Sequence, residues 1–261
     1  MQSNPQDAIY TADPHILSLA DWLGDPVAPA DFPATTLRFR NDRAARAVGL
    51  ADLDDAAWIA HFGRFAPLPG HLPQPLALRY HGHQFRVYNP ELGDGRGFLF
   101  AQMRDRRGRL MDLGTKGSGQ TPWSRQGDGR LTLKGAMREV RATEMLEALG
   151  VNTSRTFSVI ETGESLWRGD EPSPPRAAVL VRLSHSHIRI GTFQRLGALD
   201  ASAEMEQLVD YCLASFPGPA LPPDAPEPDN KAARLLHQVV ERMADMAASY
   251  MVAGFVHGVL N

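Results

Sequence analysis

The spacing of apolar and polar residues predicts strands in the middle of the chain. After Ala77, short apolar runs alternate with glycine turns, and the runs GFLFAQMRD and LMDLGTKG flank the turn RRGR. This pattern is typical of a β-hairpin. The consecutive apolar residues of RAAVLVRLS are typical of a buried strand. We also predict a second hairpin, in which RTFSVIETG and ESLWRG pair across Gly163.

Helical patterns lie on both sides of this strand-rich stretch. Short ones occur at 45–48 and 56–62, and a longer one begins after Leu133 and ends at Gly150, a residue type common at helix ends. Its predicted apolar stripe consists of Met137, Val140, Met145 and Leu149. Two more helices are predicted, in DASAEMEQLVDYCLASF and in the amphipathic stretch that begins NKAARLLHQVV. Between these two helices, residues 217–228 hold six prolines and predict an exposed loop.

These patterns divide the chain into three parts of an α+β protein. Residues 1–75, rich in Asp, Pro and Ala, form a lead-in segment; residues 76–200 are strand-rich, and residues 201–261 are helical. The chain has 261 residues, 43% of them hydrophobic, which is enough for a substantial core. Cys212 is its single cysteine, so an intrachain disulfide is excluded and packing is the expected role of this side chain.

Charge and hydropathy narrow the classes of partner. The net charge of −3 gives no overall basic field of the kind that attracts nucleic acid or membranes. The apolar runs are far shorter than the roughly 20 residues of a membrane-spanning helix. The first residues, MQSNPQDAIY, lack the charged and then apolar pattern of a signal peptide. We therefore expect a cytoplasmic protein whose binding of anions is local.

Two glycine-rich stretches predict where such an anion binds. LGDGRG, at 92–97, places Arg96 among three glycines, and DLGTKGSGQTPWSRQGDGR, at 112–130, combines five glycines with several charges. Glycines let backbone N–H groups approach an anion and form a concave cradle for phosphate. For the first stretch by itself, an ordinary tight turn is the alternative.

Lys116 makes the phosphate interpretation more specific. Lysine occurs three times in the chain, and Lys116 stands at the end of a predicted strand, which resembles the nucleotide-binding lysine of protein kinases. No GxxxxGK[ST] motif occurs, so the site is not a P-loop. A kinase-like lysine requires a carboxylate on the following helix, and Glu139 lies on the inward side of that helix. Pairing of Glu139 with Arg138 is the alternative.

Other basic and imidazole side chains extend the set. Arg182 ends a buried strand and Arg189 follows seven residues later, so both guanidinium groups could reach one anion, although each alone is typical of a surface charge. The pairs His81 with His83 and His185 with His187 suggest metal binding only weakly, because no acidic third ligand is near. We assign no metal to them.

Six motifs together resemble one protein family. In order and spacing, GHQF, LGDGRG, KGSGQTPWSRQGDGR, MREV, VLVRLSHSHIRIGTF and HGVLN are similar to the selenoprotein O (SelO, YdiU-like) family, from about residue 35 to the last residue. The resemblance implies a protein-kinase-like pseudokinase fold that binds ATP in a flipped orientation. It also implies transfer of AMP to Ser, Thr or Tyr hydroxyls of proteins.

The matching positions carry the family's roles. The resemblance implies ATP binding by Gly93, Gly95, Arg96, Lys116, Asp128, Gly129, Arg182 and Arg189. It implies that Glu139 pairs with the lysine. Residues 76–200 would form the nucleotide-binding N-lobe, and residues 201–261 would begin the helical C-lobe.

The catalytic centre is expected beyond this sequence. The family's pattern continues after HGVxN into a T-D-N segment with the base and a magnesium ligand, and then into a D-Y-G segment with another magnesium ligand. Asn261 precedes that segment, so we expect an N-terminal fragment, truncated before the catalytic loop, with neither catalytic residue nor Mg²⁺ ligand. The family's redox cysteine region is also missing, and Cys212 does not inherit its role.

Three hypotheses follow for function. The first is a parent protein that uses MgATP to adenylylate protein hydroxyls. The second is a catalytically inactive nucleotide-binding fragment, and an ordinary kinase-like phosphotransferase is a further variant of the enzyme hypothesis. The third, binding of RNA phosphates, is disfavoured by the net charge of −3.

Overall fold

The computed structural model describes residues 8–84, 86–169, 171–172, 174–216, 218 and 230–257. The proline-rich loop predicted at 217–228 lies outside the described residues except for Gly218, and Asn261 also lies outside them.

The described part of the chain contains strands and helices in an α+β arrangement. The strands are β1 Gly24–Pro26, β2 Thr36–Arg40, β3 Leu76–Leu78, β4 Gly82–Gln84, β5 Val87–Asn89, β6 Leu99–Arg104, β7 Leu110–Lys116, β8 Leu131–Thr132, β9 Arg155–Ser165 and β10 Arg176–Ser184. The helices are α1 Ala20–Leu23, α2 Asp42–Ala47, α3 Asp55–Phe62, α4 Leu133–Ala148, α5 Ile190–Ala198, α6 Ser202–Ser215 and α7 Lys231–Val252. A 3₁₀ helix, His15–Leu19, precedes α1.

One antiparallel sheet organises the fold. Its strand order is β1-β3-β6-β7-β10-β9-β2, with β8 paired to β10, while β4 and β5 form a separate hairpin. β1 and β2 belong to residues 1–75, so the sheet extends into the segment predicted to lead into the strand-rich part. β7 and β10 are neighbours at its centre. The end of the hairpin of β6 and β7 therefore lies beside β10, the strand that RAAVLVRLS was predicted to form.

The first predicted hairpin is confirmed and the second is wrong. β6 and β7 pair as antiparallel neighbours across the RRGR turn. β9, however, continues through Gly163 to Ser165, and its hairpin partner is β10. Gly163 has φ +78°, and a Cβ there would lie 2.8 Å from the Cβ of Ala34. The glycine permits a close approach to the N-terminal segment and does not form a turn.

The long predicted helix is confirmed, but its buried face is not the predicted one. Thr132 caps α4 by accepting a hydrogen bond from the Gly135 backbone N–H, and Gly150 has φ +80° just beyond the helix. Of the predicted stripe only Val140 is buried; Met137, Met145 and Leu149 are exposed. The buried residues of α4 are Leu133, Ala136, Val140 and Leu146. Packing against the sheet selects this face, because the cluster that includes Val140 also includes residues of β9 and β10.

The remaining helix predictions agree in position. Helices α2, α3, α6 and α7 overlap the stretches predicted for them. In α7, Leu235 is buried, whereas Leu236 and Val240 of the same amphipathic pattern are exposed. None of the described helices is long and apolar enough to cross a membrane.

Cores lie on both sides of the sheet. One side packs an aromatic cluster around Trp58, Phe62 and Phe157. Cys212 belongs to another cluster with Leu196 and Leu208, where burial raises the pKa of its thiol to about 12. This confirms the packing role predicted for the cysteine.

Candidate functional site

A single cavity brings together the eight residues to which the resemblance assigns ATP binding. It has a volume of about 930 Å³, within the range of about 300 to 1,000 Å³ that is typical of ligand sites. Its lining includes Gly93, Gly95, Arg96, Lys116, Asp128, Gly129, Arg182 and Arg189. Residues separated by almost a hundred positions in the sequence therefore face one space.

The charge of the lining is strongly positive. Its described cations are Arg96, Lys116, Arg125, Arg130, Arg168, Arg182 and Arg189. Asp94 and Asp128 are the acidic residues among the described lining. Although the whole chain has a net charge of −3, the cavity concentrates positive potential. This arrangement suits a ligand with several negative charges.

The strand pair β7 and β10 positions two of these cations. Gly114 of β7 stands opposite Arg182 of β10, and Lys116 stands opposite Leu180. Directly opposed residues of an antiparallel pair point to the same side of the sheet. Lys116 and Arg182 therefore project from one face, two positions apart along neighbouring strands.

Lys116 forms an ion pair with Glu139 of α4. Both side chains are about three-quarters buried, with exposed fractions of 24% and 27%. Burial lowers the pKa of Lys116, and the Glu139 carboxylate offsets this effect only in part. The pairing favoured over Arg138 is thus the one found, and Glu139 holds the ammonium group at the cavity wall.

Arg182 reaches the cavity from within β10, and Arg189 reaches it from the end of the segment that follows this strand. Desolvation lowers the pKa of the Arg182 guanidinium. The guanidinium carbon of Arg189 lies 4.7 Å from the centre of the Tyr80 ring, and its Nη2 lies 3.8 Å from Asp94 Oδ1. Burial raises the pKa of Asp94. Arg189 is therefore held beside an aromatic ring and a desolvated carboxyl.

The glycines of the first loop make room for a tryptophan. A Cβ on Gly93 would lie 2.3 Å from the Trp123 ring, and one on Gly95 would lie 2.7 Å from the Trp123 carbonyl oxygen. The Trp123 indole N–H donates to Asp25 Oδ2 at 2.9 Å. The two glycine-rich stretches are thus packed against each other. Trp123 was not among the predicted site residues, although it stands inside the stretch TPWSRQGDG.

The second glycine-rich stretch makes contacts within itself and forms an ion pair with an arginine that is distant in the sequence. Gly129 has φ +68°, and a Cβ there would lie 2.2 Å from the Gly119 carbonyl oxygen. Asp128 Oδ2 lies 2.7 Å from Arg168 Nη1. Burial acts to raise the pKa of Asp128, but the Arg168 hydrogen bond and the Arg130 backbone N–H outweigh it and lower the pKa. Arg168 was missed because its segment was predicted as a hairpin strand.

The histidines have other contacts. His81 Nδ1 contacts the Tyr88 hydroxyl, and His187 Nδ1 lies 3.2 Å from Asp112 Oδ2. No group of three or more His, Cys, Asp or Glu side chains in the described part of the chain is placed to hold a metal ion. The described residues of the cavity therefore offer a site for a polyanion.

Fold and cavity together define an α+β protein with a cationic, glycine-lined pocket. A family model described as "Protein adenylyltransferase SelO" matches residues 8–261. The chain belongs to this family, which confirms the resemblance found in the motifs.

Curated relatives carry a consistent name. "Protein nucleotidyltransferase YdiU" of Synechococcus elongatus is 53% identical over 251 residues, which are 95% of this chain and 49% of that protein. The protein of the same name in Synechocystis sp. is 50% identical over 96% of this chain and 52% of its own length. The one in Chromobacterium violaceum is 40% identical over 90% of this chain and 48% of its own length. The chain spans about half the length of these relatives.

Proposed function

We propose that the full-length protein is a protein adenylyltransferase that transfers AMP from ATP to Ser, Thr or Tyr hydroxyls of proteins, and that this chain supplies its triphosphate-binding pocket. The observation that carries the proposal is the meeting of all eight motif-derived residues in one cationic cavity. Family membership and the relatives' printed name support the type of transfer.

The chemistry of the cavity fits ATP. Lys116, Arg182 and Arg189 would hold phosphate oxygens, and arginine suits bidentate capture of such oxygens. The backbone N–H groups of the glycine-rich loops would contribute further donors. Bound ATP supplies the adenylyl group and leaves pyrophosphate, whose growing negative charge a preorganised cationic pocket stabilises.

We also propose that the chain has a kinase-like fold. A lysine at a strand end, paired with a glutamate on the next helix, is the arrangement by which protein kinases fix their nucleotide lysine. We place the nucleotide-binding lobe in residues 76–200, completed by β1 and β2, and the beginning of a helical lobe in residues 201–261. The catalytic base and the Mg²⁺ ligands implied by the resemblance belong to other segments of the full-length protein.

Labelled ATP tests the proposed transfer. The full-length protein is incubated with acceptor proteins, Mg²⁺ and ATP carrying label on the α or the γ phosphate, and label on protein is measured. Transfer from α-labelled ATP is expected. Lys116→Met should reduce it at least a hundredfold, whereas the matched variant Lys134→Met should not, because Lys134 is exposed on α4 and is not part of the described cavity lining.

The other outcomes distinguish the alternatives. Transfer from γ-labelled ATP alone would replace the proposal by a kinase-like phosphotransferase. Tight MgATP binding without transfer of either label would favour a catalytically inactive nucleotide-binding protein. The cytoplasmic location, and the absence of nucleic-acid and membrane partners, stay predictions.

A further inference from the structure

A short segment after β10 carries Arg189 into the cavity. It runs from His185 to Arg189, between the end of β10 and the beginning of α5. His187, at its middle, turns back over β7 and contacts Asp112. The side chains of His187 and Asp112 have exposed fractions of 8% and 3%. Neither residue is part of the described cavity lining, so neither is placed to contact a ligand there directly. The contact between them therefore suggests a structural role.

Asp112 holds this segment by two contacts. Its Oδ2 accepts a hydrogen bond from the His187 backbone N–H at 2.9 Å and lies 3.2 Å from His187 Nδ1. A carboxylate next to Nδ1 favours the ring form that carries its proton there. The other carboxylate oxygen accepts from the Gln102 side-chain amide at 2.7 Å. A buried carboxylate that accepts hydrogen bonds from several donors is held in one position.

The anchor is itself fixed in the core. Gln102 is fully buried, and its side-chain oxygen accepts from the Ile16 backbone N–H at 2.7 Å. The chain of contacts therefore runs from the 3₁₀ helix through Gln102 and Asp112 to His187. Two residues further on, Arg189 enters the cavity.

Gly114 has no side chain and so leaves room for the His187 imidazole. A Cβ on Gly114 would lie 1.9 Å from His187 Nε2. Gly114 also stands opposite Arg182 in the pairing of β7 with β10, so this position without a side chain lies next to the second arginine of the cavity. His187 Nε2 is buried and has no hydrogen-bond partner among the described residues. The polar contacts of the ring that hold the segment are therefore made through Nδ1.

We propose that Asp112 and His187 are positioning residues that fix the 185–189 segment and thereby hold Arg189 in the cavity. The inference rests on the proposed function in one respect, because it takes the ligand of Arg189 to be the triphosphate of ATP. Its structural part, the anchoring of the segment, does not depend on any ligand.

Two substitutions separate the roles of the ring nitrogens. The side-chain amide of His187→Asn reaches the position of Nδ1 and can still donate to Asp112. The amide of His187→Gln reaches the position of Nε2, against Gly114, and cannot. In the full-length protein without nucleotide, hydrogen exchange of the 185–189 amides should accelerate at least tenfold in His187→Gln and stay near wild type in His187→Asn. If His187→Gln does not fold, Asp112→Asn, which keeps the volume and removes the charge, replaces it.

Calorimetric titration with MgATP tests the link to Arg189. His187→Gln should weaken binding about tenfold in the wild-type background and have no further effect in the Arg189→Ala background, because contacts that act through one group are not additive. Adenosine binding should not change.

The outcomes distinguish the two proposals. Unchanged hydrogen exchange in His187→Gln, or equal effects of Asn and Gln, would overturn the anchoring. An equal loss of MgATP binding in both backgrounds would show a general structural effect and would also overturn the inference. Accelerated exchange in a protein that does not bind MgATP at all would support the anchor and refute the proposed function.

Discussion

The two faces of β7 carry different kinds of side chain near the cavity, although both faces are buried. Met111 and Leu113 point into the large apolar cluster with the aromatic residues of α3. Asp112, Gly114 and Lys116 point to the other side, where they contribute a buried carboxylate, a bare space and a cation. Since successive side chains of a strand alternate between faces, one seven-residue strand serves both the core and the cavity.

β10 repeats the division beside it. Val179, Val181 and Leu183 belong to the same apolar cluster, while Arg182 faces the cavity. A slip of one residue in the pairing of β7 with β10 would exchange the two faces. The apolar face therefore fixes the register that places Lys116 and Arg182 together. Stability and binding are therefore assigned to alternate residues, and substitutions on each face should separate the two effects.

The largest effect is expected on the apolar face. Leu113→Ala removes a fully buried side chain from the core and should lower the free energy of unfolding by about 2–5 kcal/mol, because a cavity remains. The MgATP affinity of the protein that stays folded should not change. Denaturant unfolding and calorimetric titration measure the two quantities.

A volume-conserving control strengthens this test. Met111→Leu should cost less than about 1.5 kcal/mol. If Leu113→Ala weakened MgATP binding more than tenfold without lowering the free energy of unfolding, the two faces would not be independent.

The second-largest effect is expected at Gly114, on the other face of β7. Gly114→Ala places a methyl group against His187 and should cost about 1–3 kcal/mol of stability through overpacking. It should also weaken MgATP binding about tenfold, since the segment that carries Arg189 must move. Gly197→Ala in α5 is the matched control, because nothing lies within 4 Å of its added Cβ. Gly114→Ala with wild-type affinity and stability would contradict the role assigned to this space.

Local patterns were sufficient to predict part of this arrangement. The hairpin of β6 and β7 follows from two apolar runs and a glycine turn, and the Lys116 to Glu139 pair follows from a strand end and a helix face. The two faces of β7 could not be distinguished, because both are buried and the strand does not alternate between apolar and polar residues in a simple way.

Contacts between residues far apart in the chain could not be predicted from the sequence. The β9 partner was predicted to be the neighbouring stretch, whereas the sheet selects β10. Trp123 and Arg168 reach the cavity through packing and ion pairing with distant segments, which leave no periodic pattern. The same limit explains why Met137, Met145 and Leu149 of the stripe predicted for α4 are exposed.

The smallest effect is expected from pH at Lys116. Only the protonated ammonium attracts phosphate, and burial lowers its pKa in the free protein, so MgATP affinity should fall as pH rises through a range below the ordinary lysine value. Calorimetry between about pH 8 and 10 should show a loss of less than about tenfold per pH unit, together with proton uptake on binding. Lys116→Arg, whose guanidinium stays protonated in this range, should bind without that uptake. A pH dependence equal in Lys116→Arg and wild type would assign the titration to another group and contradict the proposed role of Lys116 in binding phosphate.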